Sequence, residues 1–173
     1  MGAIALDGLE IMQRHTATMT MPATRADGTS DPVSVRVPQL GAYVLNKAAT
    51  FQRRRPFGGR GNPKRAKDLL YLRDVMDGGA DVVGVIAEDV GRIRAGDSRA
   101  QLVVDQAANT LDGILSPVGT TLLDEAGAML AERDPALGLD GAVASVTGHL
   151  ADLRDLLAAF RSPPSIGGDA DGA

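Results

Sequence analysis

The chain has 173 residues, of which 44% are hydrophobic and 23% are charged, a composition typical of one soluble globular domain. It contains no cysteine, which excludes disulfides, thiolate zinc sites and thiol nucleophiles, and its two histidines, His15 and His149, share no metal-ligand spacing. No apolar run reaches the roughly 20 residues of a membrane span, and the first residues do not form a signal peptide. We therefore expect a cytoplasmic protein with no membrane partner and no structural metal site.

The first 38 residues predict a β-hairpin. Residues 15–21 alternate and are rich in β-formers, residues 26–32 form a turn-type cluster, and residues 33–37 alternate strictly before Pro38. Residues 6–12 form a short helix or a turn. Because two strands alone are marginally stable, the hairpin either packs on the following helices or belongs to a larger sheet. Its open edge predicts a partner chain or self-association.

From Leu40 onward the hydrophobic period is that of helices. The pattern predicts a helix from Leu40 to about Arg54, and another that Asn62 caps and Pro63 begins. Four more follow at 80–95, 98–115, 119–133 and 140–161. Their apolar positions, Leu102 among them, are interpreted as core, and the methionines interpreted as packing residues are Met19, Met21, Met76 and Met129.

The fold class is therefore α+β: a short N-terminal β-hairpin followed by a mainly α-helical body of about six helices. We expect a single domain over 1–161, with a hairpin region at 1–38, a lysine-bearing helix pair at 40–77 and a helical bundle at 80–161. Residues 162–173 are small and polar and predict a disordered tail.

Positive charge is concentrated in one segment. Seven of the eighteen basic residues and no acidic residue lie between positions 53 and 67, whereas the rest of the chain carries a net charge of −11. Such a local concentration predicts a phosphate group or polyanion as partner, and a loop that merely stays solvated is the alternative. The chain has fifteen arginines and only three lysines, and all three lysines lie within positions 47–67.

Two lysines and one aspartate are the candidates for chemistry. Lys47 lies inside the apolar stripe of its helix, so its ammonium either reaches outward to water or points into a cleft. Lys67 and Asp68 lie in the first turns of the next helix, where free backbone N–H groups favour an anion. Asp68 either pairs with a basic neighbour or serves a catalytic site as a Mg²⁺ ligand or base.

A resemblance to a known family rests on three segments. They are Val37-Pro38, then Leu45-Asn46-Lys47, and then, after the arginine-rich gap, Lys64-Arg65-Ala66-Lys67-Asp68-Leu69-Leu70-Tyr71-Leu72. Together they resemble the back half of nucleotidyltransferase-fold proteins of the AbiEii toxin type, over residues 6–76. The resemblance implies a small mixed sheet with a helical C-terminal part, transfer of a nucleotide from a nucleoside triphosphate (NTP) with Mg²⁺, and in some members a role as a toxin beside an antitoxin.

The chain departs from this family at its first motif, a Gly-Ser turn followed by an Asp-x-Asp pair that holds the triphosphate and two metal ions. No Gly-Ser occurs, and the single Asp-x-Asp is Asp169-Ala170-Asp171 in the terminal tail. Two-metal phosphoryl transfer needs such carboxylates. We therefore predict a site that binds phosphate without transferring it, with no metal ligands of its own and with Mg²⁺ and NTP as cofactors only if activity is retained. A mis-assigned start, a decayed gene and a split protein each explain the departure.

The candidate site residues fall into two groups by role. The catalytic set is Lys47, Lys67 and Asp68. The residues that support phosphate binding are Arg53, Arg54, Lys64 and Arg65.

Three functions follow from these patterns. The first is a nucleotidyltransferase-like protein, truncated or catalytically incomplete, that binds an NTP. The second is a non-enzymatic module that binds RNA or DNA phosphates through segment 53–67. The third is a helical protein–protein interaction domain that uses its acidic C-terminal helices.

Overall fold

The computed structural model describes residues 3–51, 63–96 and 98–161. In chain order the elements are α1 (Ala3–Arg14), β1 (Thr16–Met21), β2 (Val33–Pro38), α2 (Leu40–Thr50), α3 (Pro63–Met76), α4 (Ala80–Gly96), α5 (Ser98–Leu115), α6 (Thr120–Arg133) and α7 (Gly138–Ala158). Short 3₁₀ turns, Pro117–Gly119 and Pro135–Leu137, precede α6 and α7. The predicted α+β class, a hairpin followed by a helical body, is confirmed.

The helix boundaries differ from the predicted ones mainly at the ends. The segment expected at 6–12 is the longer helix α1, and α7 begins at Gly138 and ends at Ala158 rather than spanning 140–161. The predicted extension of α2 to Arg54, the Asn62 cap and the terminal tail at 162–173 lie outside the described residues. Periodicity located the helices correctly because each one buries an apolar face.

The two strands pair antiparallel in a six-residue register. Met21 lies opposite Val33, Met19 opposite Val35, and Ala17 opposite Val37. At the far end, the Asp27 carboxylate accepts hydrogen bonds from the Thr29 backbone N–H at 2.9 Å and the Thr29 hydroxyl at 2.6 Å. These bonds order the connection between the strands.

The apolar face of the hairpin is exposed toward its turn, whereas Val35 and Val37, nearer the helices, are partly buried. Met19 is 51% exposed and Met21 is 49% exposed, so their interpretation as packing residues is wrong. Among the described residues, the strands make extensive contact only with each other. Met76 is buried and Met129 packs against the core, as predicted. Leu102, expected in the core of α5, is 56% exposed because it lies on the outer face of that helix.

The helices form one core with two groups around it. Helix α2 packs on α1, α4 and α5, while α3 packs on α6 and α7, and α5 joins the groups by packing on α7. Six residues of α2 are buried: Gly41, Ala42, Val44, Leu45, Ala48 and Ala49. Contact between α2 and α3 themselves is slight. Individual side-chain interactions therefore contribute more than buried area to the contact between α2 and α3.

Helix α4 holds the beginning of α2 through a buried carboxylate. Asp89 is only 6% exposed, and its Oδ2 accepts a hydrogen bond from the Gly41 backbone N–H at 3.2 Å. This N–H is one of those that an α-helix leaves unpaired in its first turn, and a negative charge there is also favoured by the helix dipole. A Cβ on Gly41 would lie 2.5 Å from the Cβ of Asp89, so only glycine permits this approach.

The close approach of α2 and α4 predicts opposite effects for two glycine substitutions. We expect Gly41→Ala to lower the free energy of unfolding by about 1–3 kcal/mol, since the added methyl group forces the helices apart. Gly84→Ala is the matched control in α4, where a Cβ meets nothing within 4 Å. It should raise the free energy by roughly 0.5–1 kcal/mol through helix propensity. Urea denaturation followed by circular dichroism measures both, and equal effects at the two positions would contradict the packing described.

Candidate functional site

Lys47 is held between the two helix groups by an ion pair. It projects from the third turn of α2, and its Nζ lies 3.0 Å from Oδ1 of Asp68 on α3. The Lys47 side chain is 19% exposed and that of Asp68 is 5% exposed. The lysine therefore points into a cleft rather than outward to water. Because both side chains are largely removed from water, loss of one partner lowers the free energy of unfolding more than it would in an exposed pair.

The chain's two tyrosines flank this lysine. The Lys47 Nζ lies 5.7 Å from the centre of the Tyr43 ring and 5.1 Å from that of Tyr71. The Lys67 Nζ lies 5.6 Å from the same Tyr71 ring. Both ammonium groups thus lie within cation–π range of one aromatic side chain. The structure joins Lys47 directly to Asp68, and Lys67 contacts the same Tyr71 ring as Lys47; the catalytic role of the three residues stays a prediction.

A shallow cleft adjoins this cluster. Its volume is about 360 Å³, and the residues that line it are Pro38, Leu40, Tyr43, Tyr71, Asp74 and Val75. The two tyrosines belong to both the cleft and the lysine cluster. An aromatic and aliphatic cleft beside charged groups is the usual form of a small-molecule site, and this volume lies near the lower end of the range for such sites.

Of the remaining predicted phosphate contacts, Arg65 lies at a different place in the fold. The guanidinium of Arg65 lies 4.6 Å from the centre of the Phe51 ring and lines a separate cavity of about 290 Å³ with residues of α5 and α6. Lys64 is exposed on the first turn of α3. Arg53 and Arg54 lie outside the described residues. The phosphate-binding role of these four residues stays a prediction.

Sequence reasoning missed the two tyrosines as site residues. Tyr43 precedes Lys47 by four positions on α2, and Tyr71 follows Lys67 by four positions on α3. Side chains four residues apart lie on the same face of a helix, so this spacing was a usable signal. That Tyr71 also reaches Lys47 depends on how α2 and α3 are placed, which no local pattern encodes.

The surroundings of Tyr43 raise the pKa of its phenol. Burial is the main cause, because it disfavours the charged phenolate, and nearby Tyr71, Asp68 and Asp74 add to the effect. Tyr43 therefore stays a neutral hydrogen-bond donor and aromatic surface over the whole physiological range of pH.

Further properties of the described residues bear on ligand chemistry. No helix in the described segments is both long enough and apolar enough to cross a membrane. Nor does the described part of the chain contain a group of three His, Cys, Asp or Glu side chains that could hold a metal ion. Comparison of the chain with protein-family models, curated proteins and solved structures found no match.

The ion pair predicts a graded set of stability losses. Lys47→Met leaves the nearly inaccessible carboxylate of Asp68 without its lysine, and we expect a loss of about 2 kcal/mol, below the roughly 3–5 kcal/mol of fully buried pairs. Asp68→Asn should cost less, because the longer lysine side chain can reach water. Lys67→Met, on an exposed position, should change stability by less than about 0.5 kcal/mol. Urea denaturation of the three variants checks the order, and equal losses for Lys47→Met and Lys67→Met would contradict it.

The raised pKa of Tyr43 predicts a delayed tyrosinate transition. The chain has two tyrosines and no tryptophan, so absorbance near the tyrosinate band reports them cleanly. Unfolded Tyr43 ionises near its ordinary pKa of 10.0, whereas the folded protein keeps the proton to higher pH. The contribution of Tyr43 to stability is thus complete below that value and is lost as pH rises through the pKa of the folded state. In Tyr71→Phe, where Tyr43 is the remaining tyrosine, we expect the tyrosinate transition of the folded protein at higher pH than that of the same variant in denaturant, and equal midpoints would refute the assignment.

Proposed function

We propose that this chain is a nucleotidyltransferase-like protein of the AbiEii type that binds the phosphates of an NTP without transferring a nucleotide by itself. The observation that carries the proposal is the contact between Lys47 and Asp68, which joins two residues of the resembling segments across two helices. Lys67 stands beside them at the Tyr71 ring. This contact supports the proposal because Lys47 and Asp68 both lie in segments that carry the resemblance.

The arrangement suits recognition of an anion. A lysine ammonium has three N–H donors, and the 3.0 Å contact with Asp68 engages one of them. The others can donate to phosphate oxygens, while Asp68 holds the Lys47 side chain in place. Lys67 adds a positive charge that the Lys47–Asp68 pair does not supply. Because the site is partly shielded from water, charge-assisted hydrogen bonds to phosphate gain strength there.

The neighbouring cleft accommodates the nucleoside. Its aromatic and aliphatic walls, Tyr43, Tyr71, Leu40 and Val75, offer a surface on which a flat base can pack. The Asp74 carboxylate at the cleft can accept a hydrogen bond from an amino group of the base. The triphosphate then extends from the cleft toward the lysines.

Transfer by this chain alone is not part of the proposal. Two-metal phosphoryl transfer needs carboxylates that hold metal ions, and these ions neutralise the negative charge on the leaving group; the single Asp-x-Asp lies in residues outside the described segments. Mg²⁺ would then assist binding through the phosphates without being required for it. The lack of cysteine supports a reducing location such as the cytoplasm.

Equilibrium binding of an NTP with and without Mg²⁺ tests the proposal. We expect binding in both conditions, and Lys47→Ala should weaken it at least tenfold, since a charge-assisted hydrogen bond contributes about 1.5–3 kcal/mol. Lys67→Ala should weaken it less, and Arg25→Ala, at an exposed position of the hairpin loop, serves as the control that removes one charge elsewhere. Isothermal titration calorimetry gives the affinities, and circular dichroism confirms that each variant is folded.

Two results would overturn the proposal. One is the absence of NTP binding in the folded wild-type protein, and the other is an unchanged affinity in Lys47→Ala. Asp68→Asn distinguishes the phosphate-binding role of Lys47 from the positioning role of Asp68, because the variant keeps the Lys47 ammonium. It should retain NTP binding even where it lowers stability.

A second candidate function, the helical interaction domain, is favoured by one surface. A groove of about 1040 Å³ lies between α6 and α7, with apolar Leu139 and Val143 and three carboxylates, Asp124, Glu125 and Asp140, among its lining residues. Its chemistry fits a basic segment of a partner protein. Neutralising the charges of segment 53–67 would leave such binding intact, whereas it would abolish binding of RNA or DNA by that segment.

A further inference from the structure

A partly buried arginine lines a cavity where the end of α2, the first turn of α3, the end of α5 and the start of α6 meet. The arginine is Arg65 of α3, and the cavity has a volume of about 290 Å³. The Arg65 guanidinium stacks on the ring of Phe51, with its carbon 4.6 Å from the ring centre. Stacking covers one face of the planar group, but its N–H groups lie in the plane and can still donate hydrogen bonds.

The charge of Arg65 has no counter-charge among the described residues. Its Nε is buried and makes no hydrogen bond within the described part of the chain, where no carboxylate pairs with the guanidinium either. The adjoining segment 52–62, which lies outside the described residues, contains four arginines and no acidic residue. A buried donor without an acceptor lowers stability, and a ligand that supplies the acceptor recovers the lost free energy.

The other described side chains that line the cavity are uncharged. Thr110 is the polar one, and its hydroxyl already donates to the carbonyl oxygen of Gln106 at 2.8 Å. The apolar walls come from Phe51, Ile114, Val118 and Leu122. Among these side chains, Arg65 therefore supplies the positive charge and the hydrogen-bond donors that a ligand can use.

We propose that this cavity binds a small carboxylate that carries one aromatic or branched apolar group. A carboxylate has one negative charge and two oxygens, which match the paired N–H groups of a single guanidinium. A phosphate monoester carries nearly two negative charges at neutral pH, and the second would have no cation in a largely apolar cavity. An apolar cavity of about 150 Å³ holds benzene, so about 290 Å³ is enough for one ring and its carboxylate.

The cavity is distinct from the site proposed for NTP. Its described lining includes none of Lys47, Lys67 and Asp68, and it is smaller than the cleft beside the two tyrosines. The inference assigns Arg65 a carboxylate in place of the phosphate that the resemblance implies. It therefore stands without the proposed NTP binding.

Benzoate is the probe that tests the inference, and benzamide, which has a similar shape without the charge, is its matched control. We expect saturable binding of benzoate to the wild-type protein with a Kd of about 1 mM or lower, and at least tenfold weaker binding of benzamide. Arg65→Met keeps an unbranched apolar side chain on the Phe51 ring and should weaken benzoate binding at least tenfold. Arg99→Met removes the same charge from an exposed position of α5 and should leave the affinity unchanged. Isothermal titration calorimetry measures the affinities, and circular dichroism confirms that each variant is folded.

Nuclear magnetic resonance locates the probe on the wild-type protein and so does not depend on a variant folding. We expect nuclear Overhauser effects between the ring protons of benzoate and the methyl groups of Ile114 and Leu122. Benzoate should also shift the Arg65 Nε–H resonance, because that N–H gains an acceptor, whereas benzamide should shift it much less.

Four outcomes would overturn the inference. They are no saturable binding of benzoate to the folded wild-type protein, equal affinities for benzoate and benzamide, unchanged affinity in Arg65→Met, and tighter binding of phenyl phosphate than of benzoate. Lys47→Ala should bind benzoate as the wild-type protein does. Wild-type protein that binds benzoate but no NTP would refute the proposed function and leave this inference standing, so the two failures are distinguishable.

Discussion

The packing of α5 on α7 joins the two groups of helices, and it brings α2 and α3 to the distance at which Lys47 can pair with Asp68. Helix α2 belongs to the group with α1, α4 and α5, and α3 belongs to the group with α6 and α7. The two helices touch little, and the partly desolvated Lys47–Asp68 pair links them directly. An ion pair is directional, whereas hydrophobic packing is not, so it favours the arrangement in which these faces of α2 and α3 meet.

Aromatic residues and a second lysine surround this pair. On α3, Tyr71 lies about one turn after Asp68 and contacts the Lys47 ammonium. Lys67 directly precedes Asp68 in the sequence and contacts the same Tyr71 ring. Tyr43 comes from α2 to the other side of the Lys47 ammonium. The Lys47 ammonium therefore stabilises the fold and is also the group proposed to bind an anion. Residues that bind ligands commonly sacrifice stability, but here Lys47 supports the fold as well.

The sequence predicted the parts of the structure that depend on local pattern. Helical periodicity located α3 to α7, and alternation located both strands, because these patterns follow from burying one face. Sequence pattern failed to predict burial where burial depends on residues distant in the chain. Met19 and Met21 alternate like core residues, yet both are about half exposed. Lys47 and Asp68 were expected in one set of site residues, but their ion pair was not predicted, and the contact of Asp89 with Gly41 joins positions 48 residues apart and has no local signal.

One residue, Gln39, separates the end of β2 from the beginning of α2. Its backbone N–H donates to the carbonyl of His15 at 2.9 Å, and Asp89 holds the next turn from the other side. The joint therefore has little freedom, so the direction in which the hairpin leaves the helical body is set by the first turn of α2.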